Sequence, residues 1–378
     1  MKSTDYISYP KNSLESIITN PGFHYLGQSI LRHLNIESLL SLRLVNHSSK
    51  VFVENPRFWL KKLKYKNSDL MEVHEAWSSL IQKVEEKNPE LKQNVVLNLI
   101  KLVDNSQDRR ELFPLNILSL FGDLPLVDFI INNNMVECLS KKSKYGSTPT
   151  HFAAGRGHTE IVKALVGCNN NLNPANNLGF TPIHYAALKG HTETVKVLSS
   201  FCVIDDPNTP NNDGLTPIHL AAQEGHTETV KALIGFTDKP NAPTNVGQTP
   251  IHSAAFNGHT ETVKVLTEYM ENPNAPCNAG QTPIHYAALN GHIVTVKALI
   301  DCTDTPNSPD NFGVTPIHLA AGNGHTKIVN VLMEYTDNPN APDNFGVTPY
   351  QKAKNSKHFN VMFLLFCRES KIYKYMCL

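Results

Sequence analysis

The sequence predicts an all-α solenoid of about eight helix-turn-helix units, preceded by a small helical domain. Three observations carry that prediction. Thr-Pro-Ile-His, followed by one residue and then Ala-Ala, stands at 181, 216, 249, 282 and 315. The Thr-Pro pairs begin at Thr148, Thr181, Thr216, Thr249, Thr282, Thr315 and Thr348, in steps of 33, 35, 33, 33, 33 and 33 residues. Apolar residues within each unit recur at helical spacing. A fixed period of this size marks a stack in which each unit buries its neighbour's apolar face. The one longer step falls in the Pro/Asn/Asp-rich stretch 204–212, where a loop absorbs two extra residues.

The unit from Asn278 to Asn311 shows why each element forms. Ala279-Gly280 is turn chemistry, with Gly free to take positive φ. Thr282 is the expected helix N-cap. Pro283 suits the first helical position, where its missing N–H has no helical partner to lose. Ile284, Ala287 and Ala288 make a short apolar face, and the small Ala pair lets neighbouring helices approach closely. Gly291 ends that helix as a left-handed cap. A second helix is expected from about Ile293 to Ile300, with Val296, Leu299 and Ile300 inward and Lys297 in water. The run from Asp304 to Pro309 is a loop with breakers. Each helix is shorter than the roughly 12–15 residues that survive alone in water, so stacking must stabilise it.

These residues resemble the ankyrin repeat, whose Thr-Pro-Leu-His signature is met here with Ile for Leu. Thr148-Pro-Thr-His-Phe-Ala-Ala is a close sixth copy. At Thr348 the signature decays to Thr-Pro-Tyr-Gln-Lys-Ala, which reads as a terminal cap with a more polar outer face. Stepping back 35 residues from Thr148 reaches Phe113-Pro-Leu-Asn, read as a degenerate first repeat. The expected array is 113–365, followed by a tail at 366–378.

Twelve of the 17 histidines occupy two repeat positions. His151, His184, His219, His252, His285 and His318 follow the Thr-Pro pairs, and His158, His191, His226, His259, His292 and His325 follow a Gly. Their recurrence tracks the fold rather than a metal site, which needs three or four ligands converging on one point. The ankyrin resemblance implies that both ladders are structural, bonding within and between units. Asn241, Asn274, Asn307 and Asn340 each follow a Pro in the inter-repeat loop. The resemblance implies that such an Asn can be hydroxylated, and the alternative is a loop-capping side chain.

No Walker loop, dinucleotide fingerprint or nucleophile elbow is present. Glu193, Glu228 and Glu261 recur at the starts of second helices, where negative charge suits the helix dipole. The expectation is a protein without catalytic residues, cofactor or metal. Lys+Arg and Asp+Glu are both 34, so no basic excess suggests nucleic acid. No run approaches the ~18 apolar residues of a membrane span. Seven cysteines without a pairing pattern suit a reducing cytoplasmic or nuclear setting.

The first hundred residues differ in kind. They are helical by pattern and carry both tryptophans. After an N-terminal tail at 1–20, the segment 21–63 holds Ile30-Leu-Arg-His-Leu, then Ser38-Leu-Leu-Ser-Leu-Arg-Leu-Val-Asn, then Asn55-Pro-Arg-Phe-Trp. That order resembles an F-box, a short helical motif that docks on the Skp-family linker of cullin ubiquitin ligases. It departs at the front, where Asn20-Pro21 replaces the usual Leu-Pro. The resemblance implies a linker-docking set of Ile30, Leu31, Leu34, Leu39, Leu42, Val45, Pro56 and Trp59. A plain helical cap is the alternative. Residues 64–112 read as a connector with helices near Glu72–Val84 and Pro89–Val103.

In an ankyrin stack the turn tips and the exposed face of the first helices form one concave groove. The positions that vary there while the scaffold repeats are Tyr145, Phe152, Arg156, Phe180, Tyr185, Leu188, Lys189, Gln223, Glu224, Phe256, Asn257, Tyr286, Leu289, Phe312 and Phe345. Exposed Tyr, Phe and Arg suit protein recognition. Some of them, such as Phe152, Tyr185 and Tyr286, share one repeat position and are expected to pack partly on neighbours. The sequence therefore predicts a substrate adaptor, with the head on a ubiquitin-ligase linker and the groove on a target protein. The alternative is a non-catalytic scaffold or decoy whose head only caps the array.

Overall fold

The computed structural model describes residues 55–62, 71–103, 113–135, 141–168, 173–201, 206–269 and 272–369. The expected first two helices of the F-box-like segment, with Ile30, Leu31, Leu34, Leu39, Leu42 and Val45, lie outside these residues. So do the N-terminal tail and the tail beyond Glu369. Every regular element among the described residues is a helix. They fall into two compact units, one ending at Lys144 and one beginning at Tyr145.

The first unit holds α1 (Pro56–Lys62), α2 (Met71–Lys87), a 3-10 turn at Pro89–Leu91, α3 (Lys92–Val103), α4 (Pro114–Phe121) and α5 (Leu124–Asn132). α1 packs on α2 and α3, and α4 packs on the same two helices. Trp59, Trp77, Leu80, Leu99, Leu115 and Leu118 are fully buried in this core. The connector helices form much where the sequence predicts them, with the Pro89 turn separating them as Pro at a helix start does. Asp123 caps α5 by accepting the Leu126 N–H at 3.2 Å and takes the Asn98 amide at 2.6 Å, which ties α3 to the α4–α5 turn.

The hairpin α4–α5, read as a degenerate repeat, thus groups with the head helices. Its sequence departs from the repeat at two positions. Phe113 stands at the N-cap, where the repeat has Thr, and makes no side-chain cap. Asn116 stands where the repeat has His, and both its amide atoms are buried without a hydrogen-bond partner.

The second unit is seven helix pairs: α6 (Pro149–Arg156) with α7 (Thr159–Gly167), α8 (Pro182–Leu188) with α9 (Thr192–Phe201), α10 (Pro217–Gln223) with α11 (Thr227–Ile234), and α12 (Pro250–Asn257) with α13 (Thr260–Thr267). They continue with α14 (Pro283–Leu289) and α15 (Ile293–Ile300), α16 (Pro316–Gly322) and α17 (Thr326–Leu332), and α18 (Pro349–Asn355) and α19 (Phe359–Glu369). First helices pack on first helices of the next pair, and second helices on second helices. The Ala-Ala pairs are fully buried at those contacts, where a larger side chain would hold the backbones apart.

One histidine per unit joins the pairs. In α14, the Thr282 N–H donates to His285 Nδ1 at 3.0 Å. Nδ1 is therefore an acceptor, and the proton sits on Nε2. That N–H reaches the Val314 carbonyl of the next unit at 3.0 Å. His151, His184, His219, His252 and His318 repeat the arrangement onto Phe180, Leu215, Gln248, Gln281 and Val347. Both ring nitrogens are thus occupied, which is structural work of the kind the resemblance implies. Among the described residues no three His, Cys, Asp or Glu side chains gather as a metal site.

The second ladder works from the other end of the first helix. His259, His292 and His325 donate Nε2–H to the carbonyls of Gln223, Phe256 and Leu289 in the preceding unit, at 3.0 to 3.1 Å. His358 belongs to this ladder too, packing against Gly324; its place 33 residues after His325 was the signal for it. A third ladder joins second helices through threonine hydroxyls. Thr159, Thr192, Thr227 and Thr260 each bond Thr194, Thr229, Thr262 and Thr295 of the next unit at 2.8 Å. At the following interface both positions are isoleucine, Ile293 and Ile328. Replacing both partners together leaves no buried hydroxyl orphaned.

The turn glycines are constrained twice. Gly247 has φ of 78°, and a Cβ there would lie 2.3 Å from Asn278 Oδ1 of the next unit. The asparagine occupies that space because its Nδ2 donates to the Asn245 carbonyl at 3.3 Å, one rung of a ladder along the turns. Two of the four loop asparagines are caps: Asn307 and Asn340 Oδ1 accept the N–H of Ile317 and Tyr350 at 3.1 and 2.9 Å, whereas Asn241 and Asn274 Oδ1 are buried without a hydrogen-bond partner.

Two outcomes follow. Burial depresses the pKa of His184, His219 and His252 to about 4, against about 6.5 in the unfolded chain. The unfolded state then binds more protons as pH falls. Stability is complete above 6.5 and is lost between 6.5 and 4, by roughly 3 kcal/mol per histidine. Circular dichroism against pH should show a cooperative loss of helix in that window; unchanged helicity at pH 4 would contradict it. Gly247→Ala should destabilise by about 2 kcal/mol or more through its positive φ and the Asn278 contact. Gly235→Ala, at φ of −68° with only the Ala232 carbonyl within 4 Å, should be neutral or slightly stabilising in the same denaturant titration.

Candidate protein-binding surface

The turn between consecutive units is built to present one side chain outward. In the turn before α16, Asp310 Oδ1 accepts the N–H of Phe312 and of Val314, each at 2.9 Å. Asn176 and Asp343 make the same paired bonds under Leu178 and Phe345. The residue before the turn Gly is thereby held at the tip with its backbone satisfied and its side chain in water. Tyr145, Phe312 and Phe345, expected from the sequence, stand there and are more than half exposed. Phe312 and Phe345 stack, with ring centroids 6.5 Å apart and planes 21° apart. Leu178 and Val246 occupy the same register and are 58% and 57% exposed, yet neither was singled out from the sequence. Their position immediately before Gly179 and Gly247 was the signal, obscured because they are aliphatic rather than aromatic.

The first helices supply the second row. Phe152, Tyr185, Tyr286, Leu188 and Leu289 are half-buried, as is Phe180. Leu220, in the register of Tyr185 and Tyr286, is buried outright. Arg156, Lys189, Gln223, Glu224, Phe256 and Asn257 are exposed. None of the fifteen sequence-selected positions is fully buried. The second histidine ladder positions this row, because it bonds the carbonyls of Gln223, Phe256 and Leu289 themselves.

Two clusters emerge. Phe180 and Tyr185 lie 5.8 Å apart, with the Tyr185 hydroxyl accepting the Asn176 amide at 3.1 Å. The larger cluster is a hollow of about 350 Å³ lined by Gln223, Gln248, His252, Ser253, Phe256, Asn257 and Tyr286. Phe256 meets Tyr286 edge-on at 6.1 Å, and His252 meets it at 5.6 Å. The Gln248 amide donates to the Tyr286 hydroxyl at 2.7 Å, fixing the ring. Burial holds His252 neutral, so the hollow carries no charge. Such a site suits a neutral side chain that offers apolar surface and a hydrogen-bonding tip. Gln248, His252 and Ser253 were not expected as lining residues. Arg156, Leu188, Lys189, Glu224 and Leu289 stand at first-helix ends outside the hollow.

In the head, Pro56 is buried and Trp59 is fully buried. They are the members of the expected linker-docking set that fall among the described residues. No helix among the described residues is long and apolar enough to cross a membrane.

Comparison with known families agrees with this architecture. The family model for ankyrin repeats (3 copies) matches residues 115–208, 201–277, 237–310 and 284–375, together more than half of the chain. The model for the F-box domain matches residues 26–61. No curated protein matches the chain. Both domain types are typically non-catalytic interaction modules, and their combination is that of a protein-interaction adaptor. On its stacked helix pairs, its histidine bridges and this match, the chain belongs to the ankyrin-repeat family and carries an F-box domain ahead of the array.

Proposed function

We propose that the chain is a substrate-recognition adaptor of a cullin-type ubiquitin ligase. The F-box segment docks a Skp-family linker, and the concave face of the array captures a target protein in the cytoplasm or nucleus. The observation that carries this reading is the presence on one chain of an F-box match at 26–61 and a long ankyrin array. The uncharged hollow at Phe256 and Tyr286 and the exposed tips of Tyr145, Leu178, Val246, Phe312 and Phe345 support the target-binding half. Aromatic anchors of this kind contribute about 2 kcal/mol or more when they dominate an interface.

Titration calorimetry of the full chain with a purified Skp-family linker should give binding at about micromolar Kd or tighter. Leu39→Asp together with Leu42→Asp should abolish it, since a charge in an apolar contact is left without a partner. A folded chain that does not bind the linker would leave a scaffold whose head only caps the array.

The groove is tested separately. Phe256→Ala with Tyr286→Ala should remove the co-purifying target, weakening it on the order of 30-fold or more, while linker binding stays unchanged. Retention of every partner by this double variant would move target recognition away from the hollow.

A further inference from the structure

The amides around the hollow at Phe256 and Tyr286 do not offer a ligand donors and acceptors equally. Gln223 donates its Nε2–H to the Glu224 carboxylate at 3.2 Å, and Asn257 donates its Nδ2–H to the Ser253 carbonyl at 3.1 Å. A carboxylate and a carbonyl only accept, so these two bonds fix which end of each amide is nitrogen. Among the described residues neither Gln223 Oε1 nor Asn257 Oδ1 has a hydrogen-bond partner.

The other polar groups of the lining are already engaged. The Tyr286 hydroxyl takes the Gln248 amide at 2.7 Å and lies 4.0 Å from Cys277 Sγ. His252 holds the Thr249 backbone N–H on Nδ1 at 3.1 Å and the Gln281 carbonyl on Nε2 at 3.2 Å. Ser253 adds a hydroxyl that can give or accept. The hydrogen-bonding capacity left in the hollow is therefore weighted toward lone pairs, between two aromatic walls.

That balance selects among side chains. No lining residue is charged, and Glu224, which holds Gln223, stands at a helix end outside the hollow. A guanidinium or ammonium would lose its water here with no carboxylate in the lining to face it. A primary amide or a phenol brings an acceptor along with its donor, and few donors remain to meet it. An indole has one N–H, no acceptor and a large apolar ring. A volume of about 350 Å³ is on the scale of one large side chain rather than of a whole helix.

Resting on the reading that the concave face captures a target protein, we propose that this hollow receives a tryptophan side chain of that target. Phe256 and Tyr286 flank the indole, and the amide oxygen of Gln223 or Asn257 accepts its N–H.

The probe is N-acetyl-tryptophan amide, titrated into the full chain by calorimetry. It should bind saturably, with a Kd of about a millimolar or tighter. N-acetyl-1-methyltryptophan amide keeps the ring and lacks the N–H. It should bind at least roughly tenfold more weakly, because an amide oxygen gives up water with nothing in return. The N-acetyl amides of tyrosine and arginine should also be weaker by roughly tenfold. Gln223→Met with Asn257→Leu, at two exposed positions, should bring the tryptophan probe down to the level of the methylated one. The methylated probe should change little, the non-additivity expected of one hydrogen bond, while circular dichroism stays unchanged. Equal affinity for the tryptophan and methylated probes, additive effects in that cycle, or tighter binding of the tyrosine or arginine probe would overturn the proposal. Absence of saturable binding would overturn it too. If Phe256→Ala with Tyr286→Ala still loses the target in that case, the groove reading survives and only the tryptophan assignment falls. Retention of the target by that double variant would take down both.

Discussion

A neutral imidazole that spans two units is the interaction on which the array depends. The backbone N–H of the capping Thr pins Nδ1 as an acceptor, which leaves Nε2–H with one direction to point, toward a carbonyl of the next turn. One side chain thus caps its own helix, sets the distance to the following unit and satisfies a buried carbonyl. The alternative, a buried carbonyl with no donor, costs more than the bond itself gains. The Ala-Ala contact and the threonine ladder join the same pairs of units alongside this bridge. In the hairpin α4–α5 Asn116 stands in the same place, and its shorter side chain has no hydrogen-bond partner.

The binding surface inherits its geometry from those bridges. The second histidine ladder grips the carbonyls of Gln223, Phe256 and Leu289, so residues offered to a partner sit on backbone that is bonded to the neighbouring unit. Three turn tips are stiffened in a different way, by a carboxylate or amide that accepts two backbone N–H groups beneath Leu178, Phe312 and Phe345. Little conformational freedom remains to be lost there on binding.

Much of this was legible in the residues. The Thr-Pro pairs marked helix starts, the glycines marked left-handed ends, and the fixed period identified the histidines as structural, because each of these signals is local or strictly repeated. What escaped was relational. That the histidines bond forward in one ladder and backward in the other cannot be seen from spacing, since both recur with the same steps of 33 and, once, 35 residues. Leu178 and Val246 looked like ordinary aliphatic residues until the turn geometry turned them outward. Gln248 and Ser253 enter the hollow only because neighbouring units converge there. Trp59, expected from the resemblance as a docking residue, is fully buried in the head, which spacing alone does not reveal.

The threonine ladder bears on how arrays of this kind can grow and shrink. Units joined by Thr–Thr contacts, up to Thr260 and Thr295, are interchangeable at that position, so unequal crossing-over among them would regenerate a matched pair each time. Ile293 and Ile328 break that equivalence. A deletion that brought Thr260 against Ile328 would replace a hydroxyl–hydroxyl bond by contact with a methyl group and leave Thr260 its own Gly258 carbonyl at 3.5 Å, as Thr326, in register with Val361, has its Gly324 carbonyl at 3.4 Å. The array thus already tolerates an unmatched pair at its last interface, and the isoleucine pair marks where the hydroxyl ladder ends, leaving the units before it the interchangeable ones.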